Sequence, residues 1–502
     1  MHYKRTTFFL TTSILFLFSC AKETIIEIPV STTSDSARKL YKKAIYLDEQ
    51  GQWFEKIALL DSAILIDPKF ALAHLNYNSN DPIKQKEHLQ KAVELKNSVT
   101  KSEKLIIETF ENFYLKNLDF ALEKAKELVK TQPNSYEAYN TLGFIYSVRD
   151  ELLKAEESFL KAINLNSNNY FAHSFLFGQH VEVGDYFLLP EEKRNIDIAL
   201  KHATDLIKIR PNAGMSYHLK ANCYRKQGEF DKARPLYEKA IEKRKGTSSE
   251  ANAYLVSGHN YMFGGNFETA RKQYDKAIKV SKHNRGKFQL GNYVTWSYLF
   301  NDDYTGALKN IDKVEKNLKD LLFEKEAELN SLAAINWQRF FLYAHLGSEK
   351  EAKKALNKSS EYWKRRAEII KDKTVSRESR RRTSYNNAWA AILFGKYELA
   401  RKNLKELKKI SNEIKSPTAL YGYFGLLAMT TQGEGDHEAA LEFFNKSDPS
   451  NTYFQYYKAI ALKSAGKRET ANHIFKEISS TNFSYWQLGL VRSRAKQQLQ
   501  QG

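Results

Sequence analysis

The sequence predicts an all-α protein folded as an α-solenoid of about ten or eleven helical hairpins. At 502 residues, the chain is too long for a single ordinary core, which stops growing at roughly 250–300 residues. Only 9 prolines and 22 glycines interrupt it, and this scarcity favours helices over strands and turns. Aromatic and small residues also recur along the chain at a fixed spacing, which indicates a repeat architecture.

The clearest unit begins at Tyr136 and reads YEAYNTLGFIYSVRDELLKAEESFLKAINLN. Counted from Tyr136 as position 1, aromatic residues stand at positions 4, 11 and 24, and small residues at positions 8, 20 and 27. Units that begin at Gly214 and Ala251 follow the same frame, and weaker copies fill the rest of 37–480. Small residues let the two helices of a hairpin approach closely, and aromatic residues fill the remaining space. Because one hairpin cannot bury its faces alone, neighbouring hairpins must stack into a continuous core.

This frame resembles the tetratricopeptide repeat, and the resemblance implies a solenoid over residues 36–480. Residues 481–502 then predict a C-terminal capping helix with a polar tail. A finer resemblance, at 58–160, is to the repeat arrays of bacterial serine/threonine kinases and transcription regulators. The sequence has no Gly-rich phosphate loop and no HRD or DFG motif, so that resemblance covers the array alone.

The N-terminus predicts export. Lys4 and Arg5 precede an apolar run from Phe8 to Phe18 that is too short to span a bilayer comfortably. The run ends in Leu-Phe-Ser-Cys20, which resembles a bacterial lipobox. We therefore expect a lipoprotein signal peptide at 1–19, acylation of Cys20 and a lipidated tether at 20–35. The alternatives are an uncleaved anchor and a plain secretory signal. The expected location is the cell envelope, with the outer membrane favoured and its periplasmic or surface face left open.

Net charge indicates which classes of partner the protein could bind, and the cysteines bear on whether it binds a metal. The formal net charge of +19 suits acidic proteins, anionic lipids, acidic glycans or nucleic acid, but export argues against nucleic acid. The densest basic run is 361–384, which is either a partner surface or a solvated helix face. Besides Cys20 the chain has only Cys223, which we expect to be a small buried residue. With no CxxC pair, HExxH or clustered His/Cys spacing, neither a metal nor a cofactor is expected.

The resemblance also implies where partners bind. In tetratricopeptide repeats, positions 2, 5, 9 and 12 of the first helix line a concave groove. Carried over to this sequence, these positions give the partner-binding residues His218, Asn222, Arg225, His259, Asn292, Trp296, Trp337, Phe341, Arg382, Tyr385 and Trp389. Aromatic anchors beside arginine are typical of binding hot spots and of sugar-stacking surfaces. The alternative is that these rings pack inside their own hairpins. An insertion at 180–197 is a second candidate surface or a packed loop.

Together these features favour a membrane-anchored scaffold that binds protein partners, acidic ones being favoured by charge, through its groove. A ligand- or glycan-capturing outer-membrane lipoprotein is the second hypothesis. An enzyme is the third and is not expected, because no catalytic residues stand at motif spacing.

Overall fold

The computed structural model describes residues 25, 27–78, 82–181, 187–414, 416, 418–483 and 485–501. These residues contain 25 α-helices and no strand, which confirms the predicted all-α solenoid. Twelve consecutive helix pairs are present, where the sequence predicted about ten or eleven. The predicted signal peptide at 1–19 and Cys20 lie outside the described residues. Among those described, no helix has the length and apolar character needed to span a membrane.

In the first half of the chain, the pairs are α1 (Asp35–Asp48) with α2 (Trp53–Ile66), α3 (Ala71–Leu75) with α4 (Pro82–Leu95), α5 (Lys101–Tyr114) with α6 (Leu118–Thr131), α7 (Tyr136–Val148) with α8 (Leu152–Leu165), α9 (Tyr170–His180) with α10 (Ile196–Ile209), and α11 (Gly214–Lys226) with α12 (Phe230–Arg244).

In the second half, they are α13 (Glu250–Phe263) with α14 (Phe267–Val280), α15 (Asn284–Leu299) with α16 (Tyr304–Leu318), α17 (Lys325–His345) with α18 (Glu349–Ile370), α19 (Lys373–Leu393) with α20 (Tyr397–Asn412), α21 (Tyr421–Gly433) with α22 (His437–Phe444), and α23 (Thr452–Ser464) with α24 (Arg468–Ser480). The final helix is α25 (Trp486–Gln500).

Close approach within a pair depends on the small residue at position 8. A Cβ added to Gly143 would lie 2.7 Å from the ring of Phe159, the aromatic residue at position 24 of the same unit. The turn between paired helices often needs a left-handed residue, which glycine adopts without steric cost, as Gly228 does with φ of 78°. The pattern read from the sequence therefore corresponds to real helix–helix contacts.

The row of helix pairs curves so that the first hairpin contacts residues in the middle of the chain. At the end of α1, Glu49 forms an ion pair with Arg210. The backbone N–H of Ser248 donates to Glu55 Oε1 at 2.8 Å, and the ring of Phe54 stacks on His283 with centroids 3.9 Å apart. Residues some 160 to 230 positions apart are thus in contact, so the first half of the solenoid completes a superhelical turn.

Two segments outside the pairs also pack on the solenoid. The backbone N–H of Ser31 donates to Glu103 Oε1 at 2.6 Å, and Ile28 is buried. Within the tether predicted at 20–35, the residues from Glu27 onward therefore lie against the array. Helix α25 contacts the last pair, as expected of a capping helix, but it also crosses to α15.

Candidate partner-binding grooves

The predicted groove in the second half of the array, here called the C-terminal groove, is the concave face formed by α11, α13, α15, α17, α19 and α23. The structure fills it with α25. The indole of Trp486 stacks on Phe341 with centroids 4.8 Å apart, meets Trp337 edge-on at 4.7 Å, and lies 6.1 Å from Trp389. Phe341, Trp337 and Trp389 were predicted to bind a partner protein, and in the structure their aromatic partner is the chain's own tryptophan.

Polar contacts hold α25 along the same face. Ser493 Oγ donates to Asp302 Oδ1 at 2.7 Å, and the Arg492 guanidinium lies 5.2 Å from the ring of Phe263. Near the other end of the helix, Lys463 Nζ donates to Gln498 Oε1 at 3.0 Å. The helix is therefore anchored at its aromatic start, in its middle and near its C-terminal end.

Four of the predicted groove residues form a buried polar network instead of an open surface. Asn222 and His259 both stand at position 9 of their units, and each contacts the tyrosine at position 24. Tyr237 donates to Asn222 Oδ1 at 2.7 Å, and the Tyr274 hydroxyl lies 2.8 Å from His259 Nδ1. In the Tyr136 unit, by contrast, positions 9 and 24 are both phenylalanine. A tyrosine at position 24 thus requires a polar partner at position 9, since a buried hydroxyl needs a hydrogen bond.

Arg225 and His218 complete this network. The Arg225 guanidinium lies 3.8 Å from the ring of Phe483, and it donates to Val256 O at 3.3 Å. His218 Nδ1 lies 3.3 Å from Arg244 Nη2. Among the described residues, no ion pair joins Arg225 or Arg244 to a carboxylate, and burial lowers the pKa of both, to about 10 for Arg244. These cations are stabilised by ring faces and neutral oxygen and sulfur atoms.

The remaining predicted groove residues contact other side chains of the array. Asn292 Oδ1 accepts from Gln338 Nε2 at 2.9 Å, and Trp296 meets Tyr293 edge-on at 4.7 Å. Arg382 pairs with Glu378 at 2.9 Å and lies over Trp363 of the preceding helix. The ring of Tyr385 packs beside Gly422. For Arg382 and Tyr385, the structure gives packing contacts on neighbouring helices and no contact with the aromatic cluster around Trp486.

The other two candidate surfaces, the basic segment 361–384 and the insertion 180–197, make contacts with other residues of this chain. In the basic segment 361–384, Arg366, Arg380 and Arg381 each pair with a glutamate. In the insertion 180–197, the backbone N–H of Leu189 donates to Gln179 O at 3.0 Å, and Leu189 is fully buried. Leu189 thus fixes the loop to α9, while most of residues 187–197 are exposed. Residues 182–186 lie outside the described part.

An open site exists in the first half, which sequence reasoning did not single out. The N-terminal groove is the concave face formed by α1, α3, α5 and α7, and it contains a cavity of about 460 Å³. The lining residues are Glu27, Ile28, Val30, Tyr41, Lys42, Ile45, Tyr46, Glu49, Leu72, Leu75, Asn76, Asn78, Ile106, Phe110, Tyr114, Tyr136, Glu137 and Arg210. The rule that predicted the C-terminal groove could have found this one, because Glu137 stands at position 2 of its unit.

The electrostatics of the N-terminal groove are mixed. Burial raises the pKa of Glu49 to about 7, although the charge of Arg210 opposes that rise. Burial likewise raises the pKa of Glu137 to about 7, against the hydrogen bond that its carboxylate accepts from the Ile28 backbone. The Arg210 guanidinium also lies 4.4 Å from the ring of Tyr46. The site therefore offers carboxyl acceptors, one guanidinium and several ring faces.

Cys223 behaves as the sequence predicted. Its side chain is fully buried, and burial raises the pKa of its thiol to about 12. A thiol held protonated in this way is a poor nucleophile at neutral pH.

Two segments of the chain, 136–169 and 212–283, match the tetratricopeptide repeat family. Among curated proteins, none matches the chain. The finer resemblance of 58–160 to kinase and regulator arrays stays a prediction.

Similar solved structures include a tetratricopeptide repeat protein from Parabacteroides merdae ATCC 43184, with 19% identity, coverage of 51% of this chain and 98% of that chain, and a TM-score of 0.31. MamA from Desulfovibrio magneticus RS-1 shares 16% identity over 36% of this chain and 96% of that chain, with a TM-score of 0.30. YrrB, described as a TPR protein with an unusual peptide-binding site, shares 17% identity over 44% of this chain and 91% of that chain, with a TM-score of 0.26. Since these similarities are distant, the family assignment rests on the matched segments. Both segments lie inside the row of helical pairs, so the chain contains tetratricopeptide repeats.

Proposed function

We propose that this protein is a membrane-anchored scaffold that binds a segment of a partner protein in its N-terminal groove. The observation that carries this proposal is the segment 27–33, which already lies in that groove as a bound stretch of chain. Its backbone N–H groups at Ile28 and Ser31 donate to Glu137 and Glu103, and the Ser31 hydroxyl also donates to Glu103. Glu103 and Glu137, each on the first helix of its hairpin, thus accept hydrogen bonds from extended backbone. The cavity beside the segment has room for a further stretch of chain.

The anchor would set the orientation of the groove. Glu27 lies seven positions after Cys20, so the chain between them spans at most about 25 Å when fully extended. If Cys20 carries lipid, the mouth of the N-terminal groove is held close to the membrane surface. A partner embedded in or attached to that membrane would then present its segment directly to the cavity. The mixed charge of the lining gives no specific preference for an acidic partner.

Photocrosslinking in intact cells tests the groove. We would place p-benzoylphenylalanine at Tyr46, which lines the cavity and is 40% exposed, and as a control at Leu65, which is 84% exposed and lies outside it. One discrete protein adduct from position 46 that is absent from position 65 is expected. Identical adducts from both positions, or none from position 46, would refute the groove assignment.

The anchor needs its own test, because the groove could bind a partner without it. Replacing Cys20 with serine should move the protein from the membrane fraction to the soluble fraction and abolish labelling by a clickable fatty acid. If Cys20→Ser stays in the membrane fraction, the lipid anchor is wrong, while the crosslinking result still decides the groove.

Glycan capture is the second candidate function, favoured by the tyrosines and asparagines that line the cavity, among them Tyr41, Tyr114, Asn76 and Asn78. Ring faces beside side-chain amides suit sugar stacking and hydroxyl recognition. Calorimetric titration with soluble oligosaccharides would separate the two. Saturable glycan binding that is lost in Tyr114→Ala would favour this alternative over the scaffold.

A further inference from the structure

Two hairpins of the array contain the same pair of contacting histidines. In α3 and α4, His74 Nδ1 lies 2.9 Å from His88 Nδ1, and in α9 and α10, His173 Nδ1 lies 2.9 Å from His202 Nδ1. The register is also the same, since His88 and His202 are each the seventh residue of their helix. The two pairs can therefore be compared atom for atom.

Hydrogen bonding fixes the tautomer of the first histidine in each pair. His173 Nε2 lies 3.2 Å from Ser167 O, and His74 Nε2 lies 3.2 Å from Pro68 O. A carbonyl only accepts, so Nε2 carries the hydrogen and Nδ1 of the neutral ring presents a lone pair to the second histidine. A ring nitrogen donating to a backbone carbonyl is the arrangement that orients histidine ligands of metals.

The pairs differ in the residue three positions after the second histidine. That residue is Lys91 in α4 and Asp205 in α10. Ligand atoms of His173, His202 and Asp205 all lie within 4.8 Å of one another. The first hairpin thus places an ammonium group at the position where the other places a carboxylate.

A further polar group without a hydrogen bond in this hairpin is His180, seven residues after His173 on α9. Its ring is 4% exposed, and neither ring nitrogen makes a hydrogen bond. Nε2 lies 3.2 Å from Glu156 Oε1, without hydrogen-bond geometry. The ring is near enough for its charge to act on His202. A buried imidazole nitrogen needs a partner, so the nitrogens of His180 are available to one.

We propose that His173, His202 and Asp205 bind a divalent transition-metal ion of the zinc class. Two imidazoles and a carboxylate are a common zinc donor set. Histidine binds metal through the lone pair of its neutral ring, and the hydrogen bond from His173 Nε2 to Ser167 O leaves Nδ1 with that lone pair. The ion would link α9 to α10 across the insertion between them.

Two lysines currently neutralise the carboxylate. Lys208 Nζ lies 2.9 Å from Asp205 Oδ1, and Lys201 Nζ lies 3.7 Å from Oδ2. Their side chains are 71% and 72% exposed, so both can turn to solvent when a divalent cation takes their place. Asp205 itself is 23% exposed, which provides a route for the ion from solvent.

The test is calorimetric titration of the chelator-treated full chain with Zn²⁺, together with Co²⁺ absorption spectra. We expect one Zn²⁺ per chain, a higher Tm with the metal, and a Co²⁺ spectrum of tetrahedral type. His202→Gln should weaken binding by more than the roughly 10–100-fold cost of losing an outer hydrogen-bond partner. Asp205→Lys, which copies the first hairpin, should abolish binding.

His88→Gln is the matched control, because it breaks the same kind of histidine pair without touching the proposed ligands. It should bind Zn²⁺ like the wild type. Circular dichroism of His88→Gln and His202→Gln should show whether breaking a histidine pair by itself reduces the helix content. Absence of Zn²⁺ binding to the wild type would overturn the proposal and leave both pairs as structural hydrogen bonds. So would equal affinities in the wild type and His202→Gln, or equal losses in His88→Gln and His202→Gln.

Discussion

The indole of Trp486 stacks on the ring of Phe341, with centroids 4.8 Å apart and planes inclined by 19°. Phe341 lies on α17 and is fully buried, while Trp486 is the first residue of α25, nearly 150 positions later. This contact closes the C-terminal groove with the chain's own helix. It also shows that the groove chemistry suits a helix that begins with an aromatic residue.

Trp486→Ala should destabilise the second half of the array by about 3–5 kcal/mol, the usual cost of truncating a packed tryptophan. The substitution removes the ring that joins Trp337, Phe341 and Trp389. Urea denaturation followed by circular dichroism would measure the loss. Leu65→Ala, at an 84% exposed position, should stay within about 0.5 kcal/mol of the wild type. Equal midpoints for the two variants would show that the stack contributes little.

A chain that ends at residue 483 should bind a synthetic peptide of residues 484–502. Without α25, the rings of Trp337, Phe341 and Trp389 become an exposed aromatic patch of the kind that marks interaction sites. We expect the shortened chain to bind the dye ANS and the peptide to displace it. A peptide with Trp486→Ala is the control and should fail to displace the dye. If both peptides compete equally, the groove does not recognise the tryptophan.

Phe483→Leu should cost about 1 kcal/mol, within the range of a desolvated cation–π contact, because leucine keeps apolar volume but offers no ring face to Arg225. Phe483→Ala removes the volume as well and should cost more. Thermal denaturation of the two variants and the wild type would separate the contributions. A Phe483→Leu variant as stable as the wild type would mean that the contact between Arg225 and the Phe483 ring does not contribute to stability.

The sequence allowed the repeat to be predicted because its spacing is local. Gly143 and Phe159 lie sixteen positions apart in one hairpin, and their contact depends on that hairpin alone. The all-α solenoid followed from such pairs, and so did the burial of Cys223.

What occupies the groove could not be predicted in the same way. The contact between Trp486 and Phe341 depends on the curvature accumulated over several hairpins, which no single unit encodes. The contact between Glu49 and Arg210 depends on a whole superhelical turn. Asn222 and His259 contact Tyr237 and Tyr274 within their own hairpins, and these contacts could have been predicted from the sequence because they join fixed positions of one unit. The histidine–aspartate cluster was missed because its members lie on two helices separated by an insertion.

Gly258→Ala should destabilise the hairpin of α13 and α14. An added Cβ would lie 2.4 Å from Tyr274 Cε1, so the ring or the helix must move. Overpacking of this kind costs about 1–3 kcal/mol, against a gain of about 1 kcal/mol in helix propensity. In a Tyr274→Leu background the clash is removed, and the same substitution should be neutral or stabilising. Additive effects in the double variant, measured by urea denaturation, would contradict the proposed clash.

The stability of the C-terminal groove should fall on acidification because of His345. Burial lowers the pKa of this imidazole to about 4, with Nδ1 2.6 Å from Phe341 O and Nε2 3.1 Å from the Tyr453 hydroxyl. Between pH values of about 6.5, the ordinary pKa of histidine, and about 4, the imidazole is protonated in the unfolded state but not in the folded state. The contribution is therefore fully present above pH 6.5 and is lost as pH falls toward 4, by at most about 1.4 kcal/mol per pH unit.

Denaturant midpoints at intervals from pH 4 to 7 would measure that dependence. His345→Gln should show a shallower fall than the wild type, since glutamine does not titrate. His473→Gln is the matched control, because the His473 side chain is 72% exposed. The remaining buried histidines contribute equally to all three proteins, so the difference between the two variants isolates His345. Identical pH profiles for His345→Gln and the wild type would mean that this ring accepts its proton in the folded state, and that the contact with Tyr453 yields to it.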